Sequence, residues 1–204
     1  MENRGLTQPM IANYKGRLAR LVWNDGACEV FGKVLEHTEV FIYECKWGDL
    51  SAIDLDSPPN DLLLQFYAEE SLAVVPTGLL GRKGIMLLLT SPAQVRIEPS
   101  PEPLLAQCDM PCRLQTSERI PLVLDGRCVM LSASGLVNFT AEPLKLRQQV
   151  IAELPLGRGQ SLTLPGRVDV VRPASASHHR MRVQFDNLDR LTAGRLRSLA
   201  QSLS

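Results

Sequence analysis

Three prolines alternate along Glu98-Pro-Ser-Pro-Glu-Pro103. Proline has no amide hydrogen and a fixed φ, so neither a helix nor an inner strand of a sheet can run through this stretch. Alternate prolines favour an extended, semi-rigid spacer instead. The stretch sits in the middle of a 204-residue chain. It leaves two pieces of about 100 residues, the commonest domain size. The organisation expected is a domain at residues 14–97, a Pro-rich linker at 98–106 and a second domain at 107–204. Residues 1–13 are expected to fray as a terminus. The competing reading is an ordinary surface loop within one larger domain.

Both halves read as short strands. In the first, Cys28–Leu35 and Glu39–Cys45 are rich in β-branched and aromatic residues, and Asn24-Asp25-Gly26 is a turn signal ahead of them. Leu62–Tyr67, Leu72–Val75 and Ile85–Leu89 follow, with Gly81-Arg-Lys-Gly84 predicting a turn. This punctuation predicts a small barrel or sandwich. In the second half, Asp125-Gly126 predicts a hairpin between Ile120–Leu124 and Arg127–Leu131, and Lys145–Leu154 predicts a strand. Gly157-Arg-Gly159 predicts a turn into Ser161–Leu164, and Pro165-Gly166 leads into Arg167–Val171. Met181, Val183 and Phe185 alternate with Arg182, Gln184 and Asp186, the period of a half-buried strand. Only at the end does helical spacing appear. Leu188, Leu191, Leu196, Leu199 and Leu203 predict one apolar face, with Asn187 as the cap. The fold class expected is therefore mainly β: two small β-barrel domains in tandem, the second closed by a C-terminal α-helix.

The charge balance is uneven along the chain. Residues 1–106 hold nine Lys/Arg against 14 Asp/Glu, a net of −5, and residues 107–204 hold 13 against eight, a net of +5. Of those 13 only Lys145 is a lysine. Arginine forks match phosphates and carboxylates, so the second half could hold an anion; the alternative is plain surface charge or charge that docks the two halves. The five cysteines are odd in number and irregularly spaced, which reads as small buried hydrophobes of a reducing cytoplasm. Cys108 and Cys112 lack two further ligands nearby, so no metal site is expected. Met1–Pro9 is mixed and polar, unlike a signal peptide, and no apolar run reaches the roughly 20 residues that span a bilayer. A cytoplasmic location is expected.

Three stretches, in order, resemble the PilZ family over residues 107–204. Met130-Leu-Ser-Ala-Ser-Gly-Leu136 resembles the family's Asp-x-Ser-x-x-Gly motif. Leu162-Thr-Leu-Pro-Gly-Arg-Val168 looks like its middle strands, and Arg182-Val-Gln-Phe-Asp186 with the leucine-spaced helix looks like its closing elements. Residues 14–97, with Gly32–Ile42 as a decayed version of the same turn, resemble such a barrel much more weakly. The resemblance implies a bacterial cyclic di-GMP module, in which an Arg-x-x-x-Arg stretch and the serine turn hold the phosphates and guanines. It also implies a protein partner in a motility, pilus or polysaccharide system.

The motif departs from the family pattern. Met130 stands where the carboxylate belongs, while Ser132 and Gly135 match. No arginine occurs between Pro99 and Met110. Taking Arg119 as the last arginine of the pair puts Gln115 where its partner should be, with Arg113 two residues too early. Each charge-assisted hydrogen bond lost costs roughly 1.5–3 kcal/mol. The degenerate nucleotide site is thus Arg113, Arg119, Ser132 and Gly135, and cyclic di-GMP is expected to bind weakly or not at all. No other cofactor is expected.

Catalytic patterns are missing. Gly-x-Ser-x-Gly, His-Glu-x-x-His and Walker motifs are absent, and His178-His179 sits in what reads as an exposed loop. No nucleophile, base and orienter can be written down. The chain reads as a non-enzymatic signalling adaptor acting by protein contact. Arg113, Arg119 and Arg127, with Ser132 and Gly135, are the expected contact edge. The alternatives are a genuine cyclic di-GMP receptor using non-standard arginines, and a general anion or nucleic-acid module. The last is disfavoured because Phe139 and Phe185 are the only aromatics available for base stacking in residues 107–204.

Overall fold

The computed structural model of the chain describes residues 14–68, 71–91, 94–102 and 105–203. Fourteen strands and one α-helix make up the described fold, which is mainly β. The described residues cluster into two compact units that part between Pro99 and Ser100.

The first unit is one antiparallel sheet. Its strands are β1 (Leu18–Trp23), β2 (Cys28–His37), β3 (Val40–Trp47), β4 (Leu63–Ala68), β5 (Ser71–Pro76), β6 (Leu79–Lys83), β7 (Met86–Thr90) and β8 (Arg96–Pro99). They lie in the order β6-β7-β3-β2-β1-β4-β5-β8. Asn24, Asp25 and Gly26, all at positive φ, turn β1 into β2 as expected. Alternation fills the core: Leu21 and Trp23, Phe41 and Tyr43, Leu64 and Phe66, Leu87 and Leu89 belong to one buried cluster. The buried Tyr43 hydroxyl donates to the carbonyls of Ala19 and Val30 at 3.0 and 3.3 Å, which removes the cost of hiding it. A small barrel or sandwich, of split-barrel type, was expected here; the strands form a single sheet in an open order with β6 and β8 at its ends. Both end strands carry exposed charge, Arg82 and Lys83 on one and Arg96 and Glu98 on the other, which discourages further pairing. Gly32–Ile42 is not a motif-like turn; it is most of β2, a tight reversal at Thr38 and Glu39, and the start of β3.

Glu98 and Pro99, expected in the linker, end β8 opposite Leu72 and Ser71. Proline is tolerated at such a strand end because no ladder hydrogen bond is asked of it. At the other side of the linker, Ala106 already belongs to the next strand.

The second unit is built from β9 (Ala106–Thr116), β10 (Val123–Leu131), β11 (Gly135–Thr140), β12 (Gln149–Gly157), β13 (Gln160–Ser175) and β14 (His178–Phe185). They close into a barrel in the order β10-β11-β14-β13-β12-β9. Leu114, Leu131, Leu154, Leu164, Val168, Met181 and Val183 fill it. The alternation read for Met181, Val183 and Phe185 is as expected, and Gly157, Arg158 and Gly159, at positive φ, make the β12–β13 turn. The Asp125-Gly126 hairpin is a misreading. Both residues lie inside β10, and the reversal is at 117–122. Gly126 is there for space: a Cβ would collide with the backbone carbonyl of Phe139 and the side-chain Nδ2 of Asn138 on the neighbouring strand. Pro165-Gly166 likewise interrupts nothing, because β13 runs through it for 16 residues.

The helix α1 (Arg190–Leu203) follows. Its cap is Asp189 rather than Asn187: one Asp189 oxygen accepts from the amides of Leu191 and Thr192 at 2.8 and 2.9 Å, the other from the Thr192 hydroxyl. Leu196 is buried, and Leu188, Leu199 and Leu203 pack on the barrel core. Leu191 does not join them and is 67% exposed. It sits five residues before Leu196, about 140° around the helix. No described helix is long and apolar enough to cross a membrane.

Candidate functional site

The turn between β10 and β11 is held by one side chain. The Ser132 hydroxyl lies within hydrogen-bond reach of the Gly135 carbonyl, the Gly135 amide (both 3.1 Å) and the Ser134 amide (3.3 Å). The Ser132 amide donates to the Gly135 carbonyl at 2.8 Å. Ser132 is 3% exposed. A Cβ on Gly135 would strike the carbonyl of Val183 on β14. The two residues that match the family motif therefore build the turn, and both are buried.

What the turn presents is Ser134. Its hydroxyl donates to one carboxylate oxygen of Glu102 at 2.8 Å. Arg182, on β14, donates from Nη2 to the other oxygen at 2.9 Å. The backbone carbonyl of Glu102 accepts from the Ser100 hydroxyl at 2.8 Å, which fixes this part of the linker. Arg182 also faces Asp169 on β13, with Nε 3.7 Å from Oδ2. Asp169 Oδ1 is buried and has no hydrogen-bond partner among the described residues. A hydroxyl and a guanidinium thus make a small anion cradle, and the chain's own Glu102 fills it. An incoming phosphate must displace that carboxylate and tolerate Asp169 behind the same arginine.

Neither expected arginine reaches this turn. Arg113 stands on β9 opposite Asp125 of β10 and Glu153 of β12. Its Nε donates to Asp125 at 3.0 Å, and Nη1 is 4.0 Å from Glu153. The three residues line an open groove of about 510 Å³ with Pro111, Gly126 and Pro155. Two carboxylates to one guanidinium make that groove unsuited to phosphate. Asp125 precedes Ser132 by seven residues, about 23 Å along a strand. Arg119 is farther still, exposed in the loop before β10, so the nine-residue strand separates it from the serine turn. Arg127 is also committed, donating to Asp109 Oδ1 at 2.8 Å and to its carbonyl at 2.6 Å. The contact edge expected from Arg113, Arg119 and Arg127 with Ser132 and Gly135 is therefore not a single surface.

Arg182 is the residue that sequence reasoning missed. Its outward phase on the closing strand was legible; its approach to the serine turn depends on β14 pairing with β11, where Gly135 lies opposite Gln184. Met130 is buried in β10. His178 and His179 belong to β14, not to a loop, and contact the Ser177 hydroxyl and the Ala141 carbonyl. Among the described residues no group of three His, Cys, Asp or Glu could hold a metal. All five cysteines are free thiols, with Cys28 half-buried and the rest buried.

A family model, the PilZ domain, matches residues 94–202. Among solved structures, the chain is similar to Escherichia coli YcgR in complex with c-di-GMP, at 14% identity over 96% of this chain and 88% of that one, with a TM-score of 0.43. It is also similar to the K. pneumonia MrkH–c-di-GMP complex, at 12% identity over 91% and 86%, with a TM-score of 0.46. The Bacillus subtilis inhibitor of motility MotI/DgrA matches at 11% identity over 91% and 95%, with a TM-score of 0.41. No curated protein matches.

Proposed function

Since the chain belongs to the PilZ family, whose model matches residues 94–202, we propose that it is a non-enzymatic adaptor of cyclic di-GMP signalling that acts through protein contact and binds the nucleotide weakly or not at all. The observation that carries this is the Glu102 carboxylate, held by both Ser134 and Arg182 at the motif turn. An internal anion on the cradle competes with every phosphate that approaches, and Met130 supplies no acceptor for a guanine. In this reading residues 14–97 form a separate domain, the protein works in the cytoplasm, and its partner belongs to a motility, pilus or polysaccharide system.

Arg182 favours a second reading, a genuine receptor that uses non-standard arginines. If cyclic di-GMP draws Glu102 away, Arg182 supplies one guanidinium fork beside the serine turn. Calorimetry of the full chain with cyclic di-GMP separates the two. Weak or undetectable heat supports the adaptor, and submicromolar binding establishes the receptor.

A further inference from the structure

Two loops at one end of the barrel are stapled side by side. In the β9–β10 loop, the Thr116 amide donates to the Leu122 carbonyl and the Leu122 amide to the Thr116 hydroxyl, both at 2.9 Å. In the β11–β12 loop, the Lys145 amide donates to Gln148 Oε1 at 2.9 Å, and the Arg147 amide to the Val168 carbonyl at 2.7 Å. Gln148 then joins the loops, its Nε2 donating to Glu118 at 2.8 Å, and the Ser117 amide donates to the Gln149 carbonyl at 3.2 Å. Arg147 holds φ 67°, a conformation easier for glycine or asparagine, yet a long cationic side chain stands there.

These hydrogen bonds fix a tip that exposes aliphatic side chains. Ile120 is 84% exposed, Leu146 60%, Val123 47% and Leu122 43%. Around them stand Arg119, Lys145 and Arg147, all exposed and none in an ion pair among the described residues. Of the acids on the same loops, Glu118 is engaged by Gln148 and Glu142 is exposed. A rigid apolar patch rimmed by free cations is a surface built for contact.

We infer that this tip, Ile120, Leu122, Val123 and Leu146 within Arg119, Lys145 and Arg147, docks an acidic, apolar segment of a partner protein. The inference rests on the adaptor reading and supplies its contact surface. Charge complementarity selects an acidic partner, and the aliphatic side chains supply the anchors. A bilayer is the poorer fit, because neither loop carries Trp, Tyr or Phe to seat at a headgroup boundary.

The test places a photo-crosslinking amino acid at position 120 of the full chain in its native host and maps the crosslinked peptide. The expected product joins position 120 to an acidic, leucine- or isoleucine-bearing segment of another protein. Its yield falls about tenfold or more in Lys145→Glu/Arg147→Glu, while the melting temperature is unchanged. A crosslink to a second copy of this chain, no crosslink, or one insensitive to the charge reversals overturns the inference. So does flotation of the purified protein with phosphatidylglycerol-containing vesicles that is lost in Ile120→Asp. Cyclic di-GMP titration of Glu102→Gln is read separately, so failure at the tip leaves the reading of the serine turn standing, and the reverse.

Discussion

The Ser134 hydroxyl and the Arg182 guanidinium close on opposite oxygens of one carboxylate, that of Glu102, at 2.8 and 2.9 Å. The sequence places these three residues far apart, and the barrel brings them together beside the motif turn. Glu102→Gln removes the internal charge but keeps the shape. We expect it to raise affinity for cyclic di-GMP about tenfold, the low end of a charge-assisted hydrogen bond because the site is partly exposed. Calorimetry measures it, and Arg182→Ala added to the same variant should abolish the gain. Unchanged affinity in Glu102→Gln would show that the carboxylate guards nothing.

Leu196 and Leu191 face opposite fates on one helix. Leu196→Ala empties a place in the barrel core and should cost about 2–5 kcal/mol in denaturant unfolding. Leu191→Ala touches solvent and should stay within about 0.5 kcal/mol. A large loss at 191 would mean that the helix is rotated from its described position.

The prolines are to be tested by limited proteolysis. Cleavage between Pro99 and Ala106 should come first and leave two folded fragments, seen by mass and by cooperative melting of each. One resistant core spanning residues 98–106 would remove the two-domain reading.

Burial holds the Cys45 and Cys112 thiols protonated. It pushes Cys45 up to about 11 and Cys112 up to about 12, against about 8.5 for a free thiol. A raised folded-state pKa stabilises the fold below the unfolded value and gives that stability up as pH climbs toward the folded one. The melting temperature should therefore hold to about pH 8 and fall between there and pH 11–12. Below that window a thiol reagent should modify the half-buried Cys28 first and the other four only after unfolding.

Local pattern carried the sequence reading wherever burial followed a simple period. The alternation through Met181, Val183 and Phe185 was legible, as were the Asn24-Asp25-Gly26 and Gly157-Arg-Gly159 turns, because those signals depend on near neighbours. Gly126 was not. It looks like a turn residue, and only the strand beside it shows that the missing Cβ is a matter of clearance. All six residues of β11 are buried, so no alternation exists there to be read. The same limit hid the candidate site. Ser132 and Gly135 announce a turn, but Glu102 and Arg182 reach it from 30 and 50 residues away, by strand pairing and linker path.

The six joins of the barrel are unequal. Five have between five and eight register pairs, whereas β9 meets β12 only through Val150 to Glu153, four pairs. Like β11–β14, that join links segments more than 30 residues apart, but it recovers fewer hydrogen-bonded pairs for the loop it closes. The barrel consequently has a seam: closure there is expected late in folding, and in hydrogen exchange the strand amides of residues 150–153 that face β9 should open before those of the other joins. Arg113, hydrogen-bonded to Asp125 on β10, reaches across this seam to Glu153 only as an exposed ion pair at 4.0 Å, so the join has little beyond its four strand pairs to hold it.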